Sequence, residues 1–344
     1  MKIQNLENRV EAFIKLGTYI KKFISEKDAS SDFLESVHGS NEWFTNENVI
    51  HALTSVSEIL SEKSLSEWLG RYPDIQLKRN EKKIGLIMAG NIPLVGFHDF
   101  LSVLISGHKL VVKLSSKDDK LLKFIVNWLI AYNKEFENLI TFENAQLKNF
   151  DAVIATGSNN SARYFEYYFS KYPNIIRKNR NSVAILTGME TKSDMDGLAD
   201  DLLIYFGLGC RNVSKLYIPE NFDLKLIFEA LYRYNNYLYH NKFYNNFTYN
   251  KSIYLMNKIR FWENGFIILK EDIAIASPIS VVFFERYENI EIVKQKIALE
   301  KDFLQCVVAK EGVIKGSVNF GQTQRPLLWD YADNVDTMKF LLTL

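Results

Sequence analysis

Cysteine is too scarce in this chain for a disulfide framework or a cysteine-based metal site. The only two cysteines among 344 residues, Cys210 and Cys306, stand far apart, so there is no CxxC pair. The five histidines include no pair at the i, i+4 spacing of a helical zinc site. We therefore expect a protein without a metal, in a reducing compartment.

An excess of charge of one sign is also absent. The sequence has 42 Lys and Arg against 41 Asp and Glu, for a net charge of +1, which disfavours nucleic acid as a partner. The most apolar stretch, residues 84–114, is interrupted by polar side chains such as Asn91 and Lys109. The first twenty residues lack the apolar core of a signal peptide. These features predict a cytoplasmic protein with no membrane partner.

Apolar periodicity predicts two α/β lobes behind a helical N-terminal region. Residues 10–68 show helical spacing, and from Lys83 onward short apolar runs alternate with amphipathic helices, which is typical of a parallel, doubly wound sheet. The predicted strands are 84–88, 110–114, 152–155 and 183–186, and the helices are 94–106, 119–133, 160–170 and 194–206. The second lobe, after residue 207, has predicted helices 224–234 and 249–262 and strands 281–284 and 305–308.

Three turns that follow predicted strands carry polar side chains where open parallel sheets bind ligands. Asn91 suits an oxyanion donor or a simple helix cap. Lys113 and Ser115 suit a cofactor ribose or phosphate, or a solvated position. Gly157 and Ser158 precede a helix and offer an anion site or an ordinary N-cap. No GxGxxG fingerprint is present, which disfavours an ordinary Rossmann dehydrogenase.

Cys210 follows two closely spaced glycines, Gly207 and Gly209, in the segment 207–212, near the junction of the lobes. A thiolate exposed in such a turn is a strong nucleophile, and its acyl thioester stays activated. A buried, inert cysteine is the alternative at this point. Cys306 lies inside an apolar run and is interpreted as a core residue.

In their order along the chain, these segments resemble the aldehyde dehydrogenase superfamily. Gly90-Asn91-Ile92-Pro93 is similar to the family's oxyanion turn, Val112-Lys113-Leu114-Ser115 to its ribose-binding segment, and Thr156-Gly157-Ser158 to its pyrophosphate turn. The resemblance implies an α/β, aldehyde dehydrogenase-like fold, with Cys210 as nucleophile and Asn91 as oxyanion donor. It implies cofactor contacts by Lys113, Ser115, Gly157 and Ser158. Glu271 weakly resembles a cofactor-ribose glutamate, at a different spacing.

One departure from the superfamily narrows the resemblance. Where aldehyde-oxidising members carry a glutamate that activates water, this chain has Ile185, so hydrolysis of an acyl-enzyme would lack its base. The segments 320–324 and 330–338 resemble acyl-CoA reductases, relatives of the reductase subunit of the bacterial luminescence fatty acid reductase complex. This resemblance covers roughly residues 80–344.

The resemblance implies reduction of an acyl-CoA to an aldehyde through an acyl-enzyme on Cys210. NADPH is the expected cofactor, since Lys113 suits a 2′-phosphate, with NADH as an alternative. The implied domains are a helical region (1–75), a dinucleotide-binding domain (76–206), a catalytic domain (207–320) and a segment (321–344) returning to the cofactor domain or a dimer interface. A homo-oligomer and an acyl-protein synthetase partner are also implied. An acyl-relay protein and a non-catalytic dinucleotide-binding module stay open as alternatives.

Overall fold

The computed structural model describes residues 5–77 and 80–344, which form two compact units. The first unit contains the chain up to residue 179 together with residues 327–344, and the second contains residues 180–326. This division suits the length of the chain, since a single hydrophobic core stops growing at roughly 250–300 residues. Within the described ranges, no helix combines the length and apolar character needed to cross a membrane.

Helices and strands alternate after four N-terminal helices. The described α-helices are α1 (Leu6–Ser25), α2 (Lys27–Ser40), α3 (Asn46–Ile59), α4 (Glu62–Leu69), α5 (Phe97–Ser106), α6 (Leu121–Tyr132), α7 (Asn159–Phe169), α8 (Lys192–Leu203), α9 (Lys225–Leu231), α10 (Asn241–Met256), α11 (Ile290–Glu300) and α12 (Thr337–Leu342). The strands are β1 (Lys83–Ile87), β2 (Lys109–Lys113), β3 (Ile140–Phe142), β4 (Ala152–Thr156), β5 (Asn174–Arg177), β6 (Asn181–Ile185), β7 (Val213–Pro219), β8 (Trp262–Glu263), β9 (Ile268–Glu271), β10 (Val281–Tyr287) and β11 (Leu304–Ala309). This order is typical of an α/β protein.

The first unit contains a five-stranded parallel sheet. Its strand order is β3-β2-β1-β4-β5, and its central strands are apolar along their buried length, as expected for parallel strands covered on both faces. The register pairs Ile87 of β1 with Lys113 of β2 and with Ala155 of β4. The carboxyl ends of these strands therefore share one edge. The strand order reverses between β1 and β4, which is where such sheets bind ligands.

The N-terminal helices complete the core of the first unit. Helix α1 buries Phe13, whose ring makes edge contacts, at centroid distances of 6.4 Å, with Phe100 of α5 and with Phe136. The side chains of Asn5 and Thr45 accept backbone N–H groups at the starts of α1 and α3, which leaves fewer helix-end donors unpaired. The helical N-terminal region predicted from the sequence is confirmed.

The second unit contains a six-stranded sheet with a buried charged cluster. The strand order is β11-β6-β7-β10-β9-β8, and only β8 is antiparallel to its neighbour. Lys215 of β7 is fully buried, with Nζ 2.6 Å from Oε2 of Glu285, and Nζ of Lys296 lies 2.5 Å from Oε1. Burial acts to raise the pKa of Glu285, but hydrogen bonds from the two lysines hold it below its usual range. This pairing offsets the cost of burying the charges.

The position of β6 differs from the sequence-based expectation. Residues 183–186 were expected in the cofactor-binding sheet of a domain ending at 206. Strand β6 instead pairs with β7 and β11, so residues 180–206 belong to the second unit. An apolar run predicts a buried parallel strand but does not specify its partner strands. Its side chains can be buried equally well in either sheet.

Candidate active site

Three turns at one edge of the first unit's sheet hold Asn91, the predicted oxyanion donor, and four of the predicted cofactor-binding residues. Asn91 lies in the turn after β1, Lys113 ends β2, and Ser115 follows two residues later. Gly157 and Ser158 connect β4 to α7. Because β1, β2 and β4 are parallel neighbours, their carboxyl ends are adjacent. The structure thus gathers these five residues along one edge.

Gly90 packs the turn after β1 directly on the turn after β2. Gly90 is buried, and a Cβ added there would lie 2.6 Å from Oγ of Ser115, 2.8 Å from its Cβ and 3.0 Å from Cβ of Lys117. Atoms this close to a backbone leave no room for a side chain. The glycine therefore allows the Asn91 turn and the Ser115 turn to touch.

We expect Gly90→Ala to lower the free energy of unfolding by about 1–3 kcal/mol, the usual cost of overpacking. The added methyl group would force the two turns apart. Urea unfolding followed by circular dichroism measures the loss. Gly39→Ala is the matched control, because a Cβ there meets nothing within 4 Å; in its helix it should stabilise by roughly 0.5–1 kcal/mol. Equal effects of the two substitutions would contradict the packing argument.

Asp118 forms hydrogen bonds with both of these turns. The sequence patterns did not indicate it as a site residue. Its Oδ2 accepts the N–H of Leu94 at 2.9 Å, and its own N–H donates to the carbonyl of Ser115 at 3.1 Å. Leu94 has a φ of 57°, a left-handed value that needs such support. Burial raises the pKa of Asp118 to about 6, although the N–H groups of Leu94 and Leu121 oppose that rise.

The turn from β4 into α7 has the geometry of an anion site. A Cβ on Gly157 would lie 2.8 Å from Cβ of Ser161 and 2.9 Å from a ring carbon of Phe165, so only glycine allows this close approach of strand and helix. Ser158 is exposed and caps α7, accepting the N–H of Ser161 at 3.3 Å. The exposed first turn of an eleven-residue helix directs N–H groups and a positive dipole end outward, which favours anions.

Cys210 lies in the second unit, in the segment between α8 and β7. We call residues 205–212 the Cys210 loop. Tyr205 and Phe206 have φ values of 57°, and Gly207 has 73°. Successive left-handed residues are rare and cost about 1–3 kcal/mol each, and they concentrate at functional sites because the surrounding structure must enforce them. Cys210 as a residue is half-buried.

Aromatic packing supports the start of the Cys210 loop. The ring of Phe206 lies 4.3 Å from the rings of Tyr237 and His240, measured between centroids. The hydroxyl of Tyr237 also donates to the carbonyl of Leu203 at the end of α8. Within the same aromatic-rich segment, Tyr239 is 80% exposed. The segment therefore includes both rings that support the loop and rings on the surface.

Ser182 of β6 joins the two cysteine-containing segments. It is fully buried, and its hydroxyl donates to the carbonyl of Cys210 at 2.9 Å. The same oxygen accepts the N–H of Cys306 at 3.2 Å and lies 3.0 Å from the Cys306 sulfur. Cys306, interpreted from the sequence as a core residue, is half-buried in this polar setting.

The segment 321–324 forms hydrogen bonds with α8 and with the Cys210 loop. Asp201 of α8 is 1% exposed, and its carboxylate accepts the N–H groups of Gly321 at 2.7 Å and Thr323 at 3.0 Å. Burial raises the pKa of Asp201 to about 6 despite those bonds. Nε of Arg211 donates to the carbonyl of Thr323 at 2.6 Å. Sequence reasoning missed Asp201 and Ser182, since neither stands in a recognisable motif.

Ile185 and Glu271 lie in different parts of the second unit. Ile185, at the end of β6, is fully buried in an apolar cluster with Tyr217 and Ile297. Glu271 is exposed at the carboxyl end of β9, whereas Cys210 precedes the start of β7. Strand β10 separates β9 from β7, so two strand spacings of about 4.8 Å lie between them. The structure does not place Glu271 next to Cys210.

The fold is that of the aldehyde dehydrogenases. An NAD+ complex of an aldehyde dehydrogenase from Bacillus cereus is similar with a TM-score of 0.62, at 14% identity, covering 92% of this chain and 73% of that one. The P. syringae indole-3-acetaldehyde dehydrogenase AldA, in complex with NAD+ and IAA, gives a TM-score of 0.64 at 12% identity, covering 95% and 75%. The fold class predicted from the sequence is confirmed.

Sequence comparison identifies the family. A long-chain acyl-protein thioester reductase from Aliivibrio fischeri is 24% identical over 182 residues, which cover 47% of this chain and 37% of that protein. The chain therefore matches little more than a third of that relative's length. Residues 6–231, which include Cys210, match the sequence model of an acyl-CoA reductase family. The chain belongs to the acyl-CoA reductase (LuxC) family.

Proposed function

We propose that this protein reduces a fatty acyl thioester, such as an acyl-CoA, to the aldehyde through an acyl-enzyme on Cys210. The observation that carries this proposal is the family match over residues 6–231, since the matched range contains both Asn91 and Cys210. The similar relative is named for reduction of an acyl-protein thioester. The rare backbone of the Cys210 loop adds support, because such conformations concentrate at functional sites.

A nicotinamide dinucleotide fits the residues at the edge of the first unit's sheet. The first turn of α7 with Gly157 and Ser158 suits the diphosphate, and Lys113 and Ser115 suit a ribose or its 2′-phosphate. Glycine at positions 90 and 157 keeps these turns free of side chains that would crowd the edge. Two structurally similar dehydrogenases are NAD+ complexes. We propose NADPH for this chain, because the half-buried Lys113 offers a cation to a 2′-phosphate.

In the proposed reaction the Cys210 thiolate attacks the acyl carbon, and the thiol of the coenzyme leaves. The family resemblance assigns the Asn91 amide and the Cys210 backbone N–H as donors to the oxyanion, a type of donor whose removal costs on the order of 10² to 10³ in rate. A nicotinamide dinucleotide held by Lys113, Ser115 and the first turn of α7 would supply the hydride that reduces the acyl carbon, and cleavage of the carbon–sulfur bond would then release the aldehyde and restore the Cys210 thiolate.

Ile185 offers no base for hydrolysis, but it is fully buried at the carboxyl end of β6, whereas Ser182, near the amino end of that strand, contacts Cys210. The proposal therefore does not rest on Ile185.

Mass spectrometry of the intact protein tests the proposal. We expect incubation with acyl-CoA to add one acyl group at Cys210, and further addition of NADPH to remove it with release of aldehyde. An adduct that persists with NADPH would overturn the reductase assignment and identify an acyl-relay protein. Absence of any adduct, with dinucleotide still bound, would identify a non-catalytic module. Repeating the incubation with NADH decides between the two cofactors.

The partners follow from the same proposal. An acyl-protein synthetase that supplies the acyl group, and assembly of several copies of this chain, stay proposals that rest on the family resemblance. We also propose that Glu271, at the end of β9, contacts the dinucleotide. Weaker dinucleotide binding after its replacement would support this role, and unchanged binding would exclude it.

A further inference from the structure

Asn212, two residues after Cys210, makes three side-chain hydrogen bonds in the second unit. Its Oδ1 accepts the N–H of Gly209 at 2.8 Å. Its Nδ2 donates to the carbonyls of Asp201 at 3.0 Å and Ile204 at 2.9 Å, at the end of α8. The side chain is almost fully buried, with the residue 3% exposed. Both amide protons are thus satisfied, along with one of the oxygen lone-pair sites.

These bonds connect the residue just before Cys210 to a rigid helix end. The carbonyls of Asp201 and Ile204 are among those that no intrahelical donor reaches, so Asn212 ends α8 and holds the Cys210 loop with a single side chain. The N–H of Asn212 also donates to the carbonyl of Gly209 at 3.0 Å, which closes the turn around Cys210. Aspartate has the same shape but lacks both amide protons, so it is the most selective replacement.

We propose that Asn212 is a positioning residue for the Cys210 nucleophile, an inference that rests on the proposed acyl-enzyme function. Its amide fixes the backbone of the loop and thereby the direction of the thiol and of the Cys210 N–H. A displacement of about 1 Å at a reacting group can cost about 10² in rate. The effect falls on the chemical step, because none of the three bonds lies in the first unit, where the dinucleotide residues are.

The test compares Asn212→Asp with Asn250→Asp. Asn250, in α10, is also a buried amide that donates to two backbone carbonyls, those of Asn246 at 2.9 Å and Ile279 at 3.1 Å. We expect Asn212→Asp to lower kcat about 10²-fold with little change in the KM for dinucleotide, whereas Asn250→Asp retains kcat. Asn212→Ala and Asn250→Ala repeat the comparison without a new buried charge, should the aspartate variant fail to fold.

A second measurement does not depend on turnover. Alkylation of Cys210 by iodoacetamide, without substrates, should be about tenfold faster in the Asn212 variants, the factor for losing about 1.4 kcal/mol of hydrogen bonding that holds the Cys210 loop in its closed conformation. If the wild-type protein does not reduce acyl-CoA, but Cys210 is still alkylated faster in the Asn212 variants, only the proposed function is contradicted. Asn212 variants that match the Asn250 variants in both kcat and alkylation would overturn the positioning role.

Discussion

Cys210→Ser should reduce acyl thioester reduction by a factor on the order of 10⁴ to 10⁶, the range lost when a catalytic unit loses its nucleophile or supporting residue. A serine hydroxyl at neutral pH is a far weaker nucleophile than a thiolate. The contacts described above for the Cys210 loop do not activate such a hydroxyl. Ser182 donates to the Cys210 carbonyl, and that contact is made to the backbone. Oxidation of NADPH in the presence of acyl-CoA, followed at 340 nm, measures the loss.

Cys306→Ser is the matched control for this substitution. It removes the other thiol and keeps a hydroxyl beside Ser182, so we expect most of the activity to remain. Mass spectrometry should find the acyl group on Cys210 in this variant and on neither position in Cys210→Ser. Unchanged turnover in Cys210→Ser, or an adduct on Cys306, would refute the assignment of the nucleophile.

Arg177→Met should destabilise the first unit by about 3–5 kcal/mol, the cost of leaving a buried charge without its partner. Nη2 of Arg177 lies 2.6 Å from Oδ1 of Asp99 and 2.8 Å from Oγ1 of Thr337, and Nη1 donates to the carbonyl of Ala332 at 2.6 Å. Arg177 and Asp99 are 4% and 6% exposed. The substitution leaves the buried Asp99 without its charge partner. It also removes the hydrogen bonds to Ala332 and Thr337 in the C-terminal segment.

The neighbouring residue provides the control for Arg177. Nζ of Lys178 pairs with Oε1 of Glu166 at the same distance of 2.6 Å, but both side chains are about half exposed, at 53% and 47%. Lys178→Met should therefore cost less than about 1 kcal/mol. The double variant Arg177→Met, Asp99→Leu should recover much of the loss, because it leaves no unpaired charge. Urea unfolding of the three variants checks this order, and equal losses from the two single substitutions would contradict it.

The fold and one edge of the site could be predicted because they depend on local patterns. Short apolar runs that alternate with amphipathic helices specify parallel strands, and parallel strands have their carboxyl ends on one side. That is why Asn91, Ser115 and Gly157 were expected near one another before the structure showed β1, β2 and β4 as neighbours. The strand bounds were within one residue at both ends for 84–88, 110–114 and 152–155.

Short or polar elements were not predicted. Strands β3 and β5 have three and four residues, too few for a clear apolar alternation. The helix expected over 249–262 is observed at Asn241–Met256, since the aromatic and asparagine residues before it lack helical periodicity. The basic run 177–180 is typical of a solvated loop face, yet Arg177 is buried. Its tertiary partner Asp99 compensates the buried charge, and further bonds to Ala332 and Thr337 satisfy the guanidinium.

The sequence by itself determined the α/β class and the edge where Lys113, Ser115 and Gly157 gather, and it indicated Cys210, which follows two closely spaced glycines, as the candidate nucleophile. Each of these depends on residues close together in the chain. The tertiary structure decided that β6 joins the second sheet, and which side chains hold the Cys210 loop and the C-terminal segment in place. Ser182 contacts Cys306 across 124 positions, and Arg177 contacts Thr337 across 160. A local pattern does not encode such contacts, because they form only when separate elements pack together.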